Sequence, residues 1–205
     1  MNDKIMHFIE EKVLPIAGKV ASNRYLNAIR DGFVFAVPFL IVGSFILLIL
    51  NLPLTDKNNF LYLEWYTNLM AKYKADLMQP FNVSMGIMCM FIVYGIGYSL
   101  SGHYNLNSIT GGFLSLFGFL LVSAKVEYVP IVESVSKSFL VAPNTSIPVM
   151  DVRFMDAKGL FVAIIFGIIS IEIFRFLVHK KLIITLPESV PPAIAKSFEL
   201  LIPVA

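Results

Sequence analysis

The chain has 205 residues, 57% of them hydrophobic and 15% charged, with a mean hydropathy of +0.77. A water-soluble domain of this size cannot bury that much apolar surface, so lipid has to supply part of the solvent. The 16 Lys plus Arg nearly balance 14 Asp plus Glu, which excludes the cationic surplus of a nucleic-acid-binding protein.

In chain order, residues 1–31 come first, with Ile5, Phe8, Ile9, Val13, Ile16 and Val20 at spacings of three and four and Lys4, Lys12, Lys19 and Arg24 between them. This pattern predicts an amphipathic helix in the membrane interface, kinked near Pro15 and orienting the first span. Mixed charge signs and the long apolar run from Gly32 do not read as a secretory signal, so insertion is expected to be uncleaved.

Crossing a hydrocarbon core of about 30 Å takes about 20 helical residues, and four runs meet that ruler: 32–52, 81–100, 108–124 and 159–178. Pro38 in the first is tolerable, because a membrane helix can satisfy the freed carbonyl locally. The third is short and has to stand nearly upright or borrow flanking residues. Between the third and fourth, residues 125–158 are too polar to span, and Ala142-Pro143-Asn144-Thr145 marks a turn. Ser138–Val141 and Val149–Phe154 are expected to pair as a short extracellular β-hairpin, with an irregular loop as the alternative. After the fourth run, Pro187, Pro191 and Pro192 enforce extended backbone, and a helix restarts at Pro192 or Ala193. About a dozen residues of it precede Ala205, too few to span, so the chain reads as a piece of a larger membrane protein.

The expected fold is therefore an all-α polytopic membrane protein: an interfacial helix, four transmembrane helices plus the start of a fifth, and the hairpin. Lys and Arg in the connections total eight on the side of Lys4, Lys12, Lys19, Arg24, Arg30, Lys180, Lys181 and Lys196 and seven on the other. The totals hardly differ, so the cluster before the first span and the Lys180-Lys181 pair after the fourth decide, and both place the N-terminus in the cytoplasm.

Glu172 and Arg175 are the charges inside a predicted span, three residues apart and so on one helical face, suited to an ion pair or to a gating or partner contact. Gly95, Ser99 and Gly102 lie at i, i+4 and i+7, and Gly111, Ser115 and Gly118 repeat the spacing. Such stripes let helices approach closely, either within the chain or across a dimer. His103 lies in a short turn and reads as solvated, while Cys89 sits in an apolar run and reads as packing. Glu188, Ser189, Pro191 and Lys196 stand on a proline-stiffened connection suited to partner docking, to a hinge or to passive linkage. No Cys, His or carboxylate spacing suggests a metal, and no glycine-rich loop suggests a nucleotide or other cofactor.

Two stretches carry a family resemblance, IEEKVLPIAGKVASNRYLNAIRDGFVFAVPFLIVGSFILLILNLP from Ile9 and LPESVPPAIAKSFELLIPVA from Leu186. They resemble the N-terminal half of the IIC permease of the lactose/cellobiose family of bacterial phosphotransferase systems, most of all its cellobiose and diacetylchitobiose members. The resemblance implies a homodimer in the bacterial cytoplasmic membrane, with about ten transmembrane helices per subunit. It implies a disaccharide substrate, phosphorylated on uptake by a phosphocysteine of a separate IIB protein. It places the sugar-handling histidine and glutamate in the second half, so no catalytic residue is expected here, and residues 32–205 become the scaffold and dimerisation half. The alternatives are a non-catalytic membrane scaffold and an unrelated secondary transporter, for which an internal repeat is expected and none is found.

Overall fold

A computed structural model describes residues 6–56, 60–130, 146–182 and 201–204. A wide helical turn, Ile9–Val13, leads into α1, Leu14–Ala21. Pro15 stands at the start of α1, where its missing N–H costs least, so the irregularity expected at this proline falls in the turn before it. Met6, Phe8, Val13, Leu14 and Val20 are all exposed, as an interfacial helix requires.

Asn23 ends this segment and caps the next, its side chain accepting from the backbone amides of Tyr25 and Leu26. The helix it starts, α2, runs Arg24–Leu50, and its 27 residues reach about 40 Å, more than a hydrocarbon core. Pro38 lies inside it. Only 17% of its most apolar stretch is buried, while Val34, Phe45 and Leu48 point outward. A helix apolar on every side and so little covered belongs in lipid.

The next stretch is one bent rod: α3, Glu64–Leu77; α4, Gln79–Ser84; and α5, Met88–His103. The span expected over 81–100 is thus divided, because the chain bends at Met85–Ile87 before α5 begins. Gly86 marks the bend, where a Cβ would stand 2.4 Å from the Asn82 carbonyl oxygen. Polar α3 packs Tyr66 and Met70 onto Leu50 at the end of α2.

Helix α6, Ser108–Ser123, is capped by Asn107, whose side chain accepts from the Thr110 amide. It reaches about 24 Å, which makes it the short member. Among the described residues three helical stretches are long and apolar enough to cross a membrane, Arg24–Leu50, Glu64–His103 and Ala157–His179. The last comprises a tight turn, Ala157–Gly159, capped by Asp156, and α7, Leu160–His179. A short helix α8, Leu201–Val204, follows. The expected helix start at Pro192 or Ala193 lies outside the described residues.

Strands β1, Val126–Pro130, and β2, Ser146–Met150, form an antiparallel pair in the register Val126↔Met150 to Pro130↔Ser146. A hairpin therefore stands between α6 and α7, with a different composition from the one expected. Ser138–Val141 and the Ala142–Thr145 turn lie outside the described residues. Of Val149–Phe154, only Val149 and Met150 are in the strand. Asp151 ends it by accepting the Arg153 amide at 2.9 Å and gripping the Arg153 guanidinium with both oxygens. Met155 then turns inward to 1% exposure, and its carbonyl accepts the Cys89 amide at 3.0 Å.

Helix α5 is the centre of the bundle. Ile92, Ile96 and Leu100 pack on Ala28 and Ala36 of α2 and Ile171 of α7. On its other side Cys89 and Val93 meet Phe119 of α6 and Ala163 of α7.

Candidate functional site

Three of the described helices bring polar side chains together at one end of the bundle. At that end the first turn of α2, the residue after α5 and the last turns of α7 meet on Glu172. Its Oε1 accepts the hydroxyls of Tyr25, at 3.1 Å, and of Tyr104, while Oε2 pairs with Arg175 Nη1 at 3.2 Å. The Tyr104 and Tyr25 hydroxyl oxygens lie 3.3 Å apart, both turned to the same carboxylate oxygen. Arg175 and Arg24 stack on the Tyr104 ring, 4.3 and 5.2 Å from its centre. Burial, followed by the Glu172 carboxylate that accepts its proton, pushes the Tyr104 phenol up, so it stays a donor at neutral pH. A cleft of about 290 Å³ opens beside the node, lined by Glu172, Arg175, Phe176 and His179.

The expected Glu172–Arg175 pair is thus present as one arm of a three-helix node. Tyr25 and Tyr104 escape a reading of the sequence, because nothing in one dimension ties residues 25, 104 and 172 together. A smaller node joins α2 to α5, where Ser99 Oγ donates to Asp31 Oδ2 at 2.7 Å and Arg30 pairs with Asp31 Oδ1 at 2.8 Å.

The small-residue stripes take up different partners. A Cβ on Gly95 would stand 2.8 Å from Gly32 Cα, and Ser99 bonds Asp31, so this stripe faces α2. The α5–α6 contact belongs to the interleaved pair Gly97 and Ser101, against Gly111 and Ser115. A Cβ on Gly97 would stand 2.5 Å from the Gly111 carbonyl oxygen, and one on Gly111 2.7 Å from Ser101 Cβ. Ser115 Oγ reaches past this contact to donate to the Gly167 carbonyl of α7 at 2.9 Å. Gly118 faces Ser170 of α7, and Gly102 sits beside Ser108 at the α5–α6 turn.

Cys89 is buried, its thiol donating to the Asp156 carbonyl at 2.8 Å. His103 ends α5 and is exposed. Glu188, Ser189, Pro191 and Lys196 lie outside the described residues. Among the described residues no group of three or more His, Cys, Asp or Glu could hold a metal.

The comparisons with known proteins decide the family. The profile of "Phosphotransferase system, EIIC" matches residues 30–205. The chain belongs to the EIIC family of phosphotransferase systems. Within it, the similarity lies with the lactose/cellobiose IIC components. The chain is 37% identical to the cellobiose-specific EIIC component of Geobacillus stearothermophilus, over 98% of this chain and 42% of the relative. It is 35% identical to the lichenan permease IIC component of Bacillus subtilis, with the same coverages. Its fold matches the crystal structure of the transporter ChbC, the IIC component from the N,N'-diacetylchitobiose-specific phosphotransferase system, at a TM-score of 0.75 and 40% identity. That match covers 96% of this chain and 43% of ChbC. The chain thus spans less than half the length of the EIIC relatives it matches.

Proposed function

We propose that the chain forms the scaffold part of an EIIC sugar permease that carries a β-linked disaccharide, such as cellobiose or diacetylchitobiose, across a bacterial cytoplasmic membrane. A phosphorylated IIB protein phosphorylates the sugar on arrival. The observation that carries this reading is the match to the cellobiose-specific relative and to the fold of ChbC along nearly the whole chain.

The scaffold role is supported by the chemistry of the helices. Recognising a disaccharide takes several convergent polar groups in a concave site. At membrane depth several hydroxyls of the described helices are spent on their own backbone, Ser84 on Pro80, Ser123 on Phe119 and Ser170 on Phe166, and Ser115 on the Gly167 carbonyl. The catalytic groups belong to the rest of the permease.

The polar node marks the cytoplasmic end, in keeping with the cations that precede α2 and follow α7, and the hairpin is then extracellular. Helix α6 crosses as the third of the four spans by borrowing Ala124 and Lys125. The second subunit of a homodimer packs on the aromatic face of Phe35, Tyr94, Tyr98 and Phe113. Among the described residues neither the Tyr94 nor the Tyr98 hydroxyl has a hydrogen-bond partner, and such groups in lipid call for one from another protein surface. The segment with Glu188, Ser189, Pro191 and Lys196 is the docking or hinge element beside IIB.

The test is a graft. This chain replaces the matching part of the Geobacillus stearothermophilus cellobiose-specific EIIC in cells lacking their own cellobiose permease. Phosphoenolpyruvate-dependent accumulation of cellobiose phosphate is expected. A correctly inserted graft that accumulates unphosphorylated sugar, or takes up none, overturns the reading.

A further inference from the structure

The node around Tyr104 holds more positive charge than it neutralises. Among the described residues Glu172 is the one carboxylate in it, and Arg175 takes that up. Arg24 stacks on the same ring and has no carboxylate within ion-pair distance among the described residues. Both guanidinium groups lie against one tyrosine ring. Lys180 extends the positive surface, its ammonium lying 5.9 Å from the centre of the Phe176 ring that lines the adjoining cleft.

The position of this charge narrows its ligand. Arg24 opens an apolar helix and Lys180 closes another, so the cations sit where a bilayer's headgroups begin. The Leu26 and Phe176 side chains near them are exposed, as a surface in contact with acyl chains has to be. A charge-assisted fork to a phosphate oxygen from Arg24, with Arg175 behind it, suits a phosphodiester, and the apolar surround suits its tails.

We infer that Arg24, Arg175 and Lys180 form a binding site for the phosphate of an anionic phospholipid at the membrane surface. The site rests on the membrane placement proposed above. Its test reads lipid retention without sugar uptake, so the two fail separately. The bound headgroup supplies the counter-charge that Arg24 lacks and ties the ends of α2 and α7 together.

The experiment is native mass spectrometry of the full chain released from neutral micelles doped with equal amounts of phosphatidylglycerol and phosphatidylcholine. The wild type is expected to retain phosphatidylglycerol preferentially. Arg24→Gln leaves the hydrogen bonds to Glu172 intact and is expected to lower that preference about fivefold, the worth of one cation near an anionic surface. Lys180→Gln, outside the hydrogen-bonded node, provides a second reading if Arg24→Gln does not fold, and the same direction is expected. Equal retention of the two lipids by the wild type overturns the inference, as does an unchanged preference in every folded variant. Displacement of phosphatidylglycerol by millimolar inorganic phosphate overturns it in favour of a free-anion site.

Discussion

Replacing Tyr104 by Phe removes one hydroxyl from the node while keeping the ring on which Arg24 and Arg175 stack. The lost contact is a hydrogen bond to a charged acceptor, worth roughly 1.5–3 kcal/mol in a water-soluble protein. Side-chain hydrogen bonds between membrane helices average about 0.6 kcal/mol and reach about 1.7. The Glu172 side chain is 34% exposed, so water competes for it and the lower scale applies. We expect Tyr104→Phe to lower stability by about 0.6–1.7 kcal/mol in reversible unfolding from mixed micelles. Glu172→Ala leaves two hydroxyls and a guanidinium without their common acceptor and is expected to cost more, roughly 2 kcal/mol for three such bonds. Tyr25 and Tyr104 donate to the same Oε1 and their hydroxyl oxygens touch, so Tyr25→Phe and Tyr104→Phe should couple by about 0.5 kcal/mol or more. A Tyr104→Phe protein within about 0.3 kcal/mol of wild type, with an additive double variant, would refute the node as a stabilising unit.

The helix crossings give a prediction in relative terms. Gly95→Ala sets a Cβ 2.8 Å from the Gly32 backbone, which cannot turn aside, so α2 and α5 have to part at a cost of about 1–3 kcal/mol. Gly118→Ala meets Ser170 Oγ at 2.3 Å with the next atom at 3.6 Å, a clash that rotating the hydroxyl relieves for less than about 1 kcal/mol. The reverse order in thermal unfolding would refute these contacts. At the hairpin, the Arg153 side chain and amide hold the Asp151 carboxyl down at about 2. A carboxyl so lowered stabilises the turn above its unfolded value, about 3.9, and loses that contribution as the pH falls through about 2. The Arg153 amide resonance is expected to stay constant from pH 6 to 4 and to move with a midpoint near 2; a midpoint near 4 would show the Asp151 grip to be absent.

How much of this was legible depends on whether the information lay along one helix or between helices. The apolar runs around Phe33–Leu50 and Leu160–Leu177 follow from composition and the bilayer ruler, and their helices follow closely. The bend at Met85–Ile87 did not, because apolarity runs straight through it and only the close approach of Gly86 to Asn82 reveals it. The hairpin was legible as polar residues between apolar runs, but its register was not, since Val126–Pro130 carries no stronger strand signal than residues beside it.

The stripes show the limit most clearly. The segment Gly95-Ile96-Gly97-Tyr98-Ser99-Leu100-Ser101-Gly102 holds two overlapping small-residue series, Gly95/Ser99 and Gly97/Ser101, each at i, i+4. Two residues turn a helix through about 200°, so the series face nearly opposite sides. Spacing says that both sides can be approached closely and cannot say by which neighbour. The structure settles this through the partners' own small residues, with Gly32 opposite Gly95 and Gly111 opposite Gly97. A central helix bare on two sides is what a scaffold needs, because both α2 and α6 can pack against its backbone and fix their spacing without a large side chain between them. On that account Gly111→Leu is no test of the proposed homodimer, because it removes the α5–α6 contact first. A variant on the exposed aromatic face, Phe113→Ala, is the one expected to separate subunits while the bundle stays folded. Light scattering in detergent checks it, and an unchanged dimer mass would move the subunit contact elsewhere.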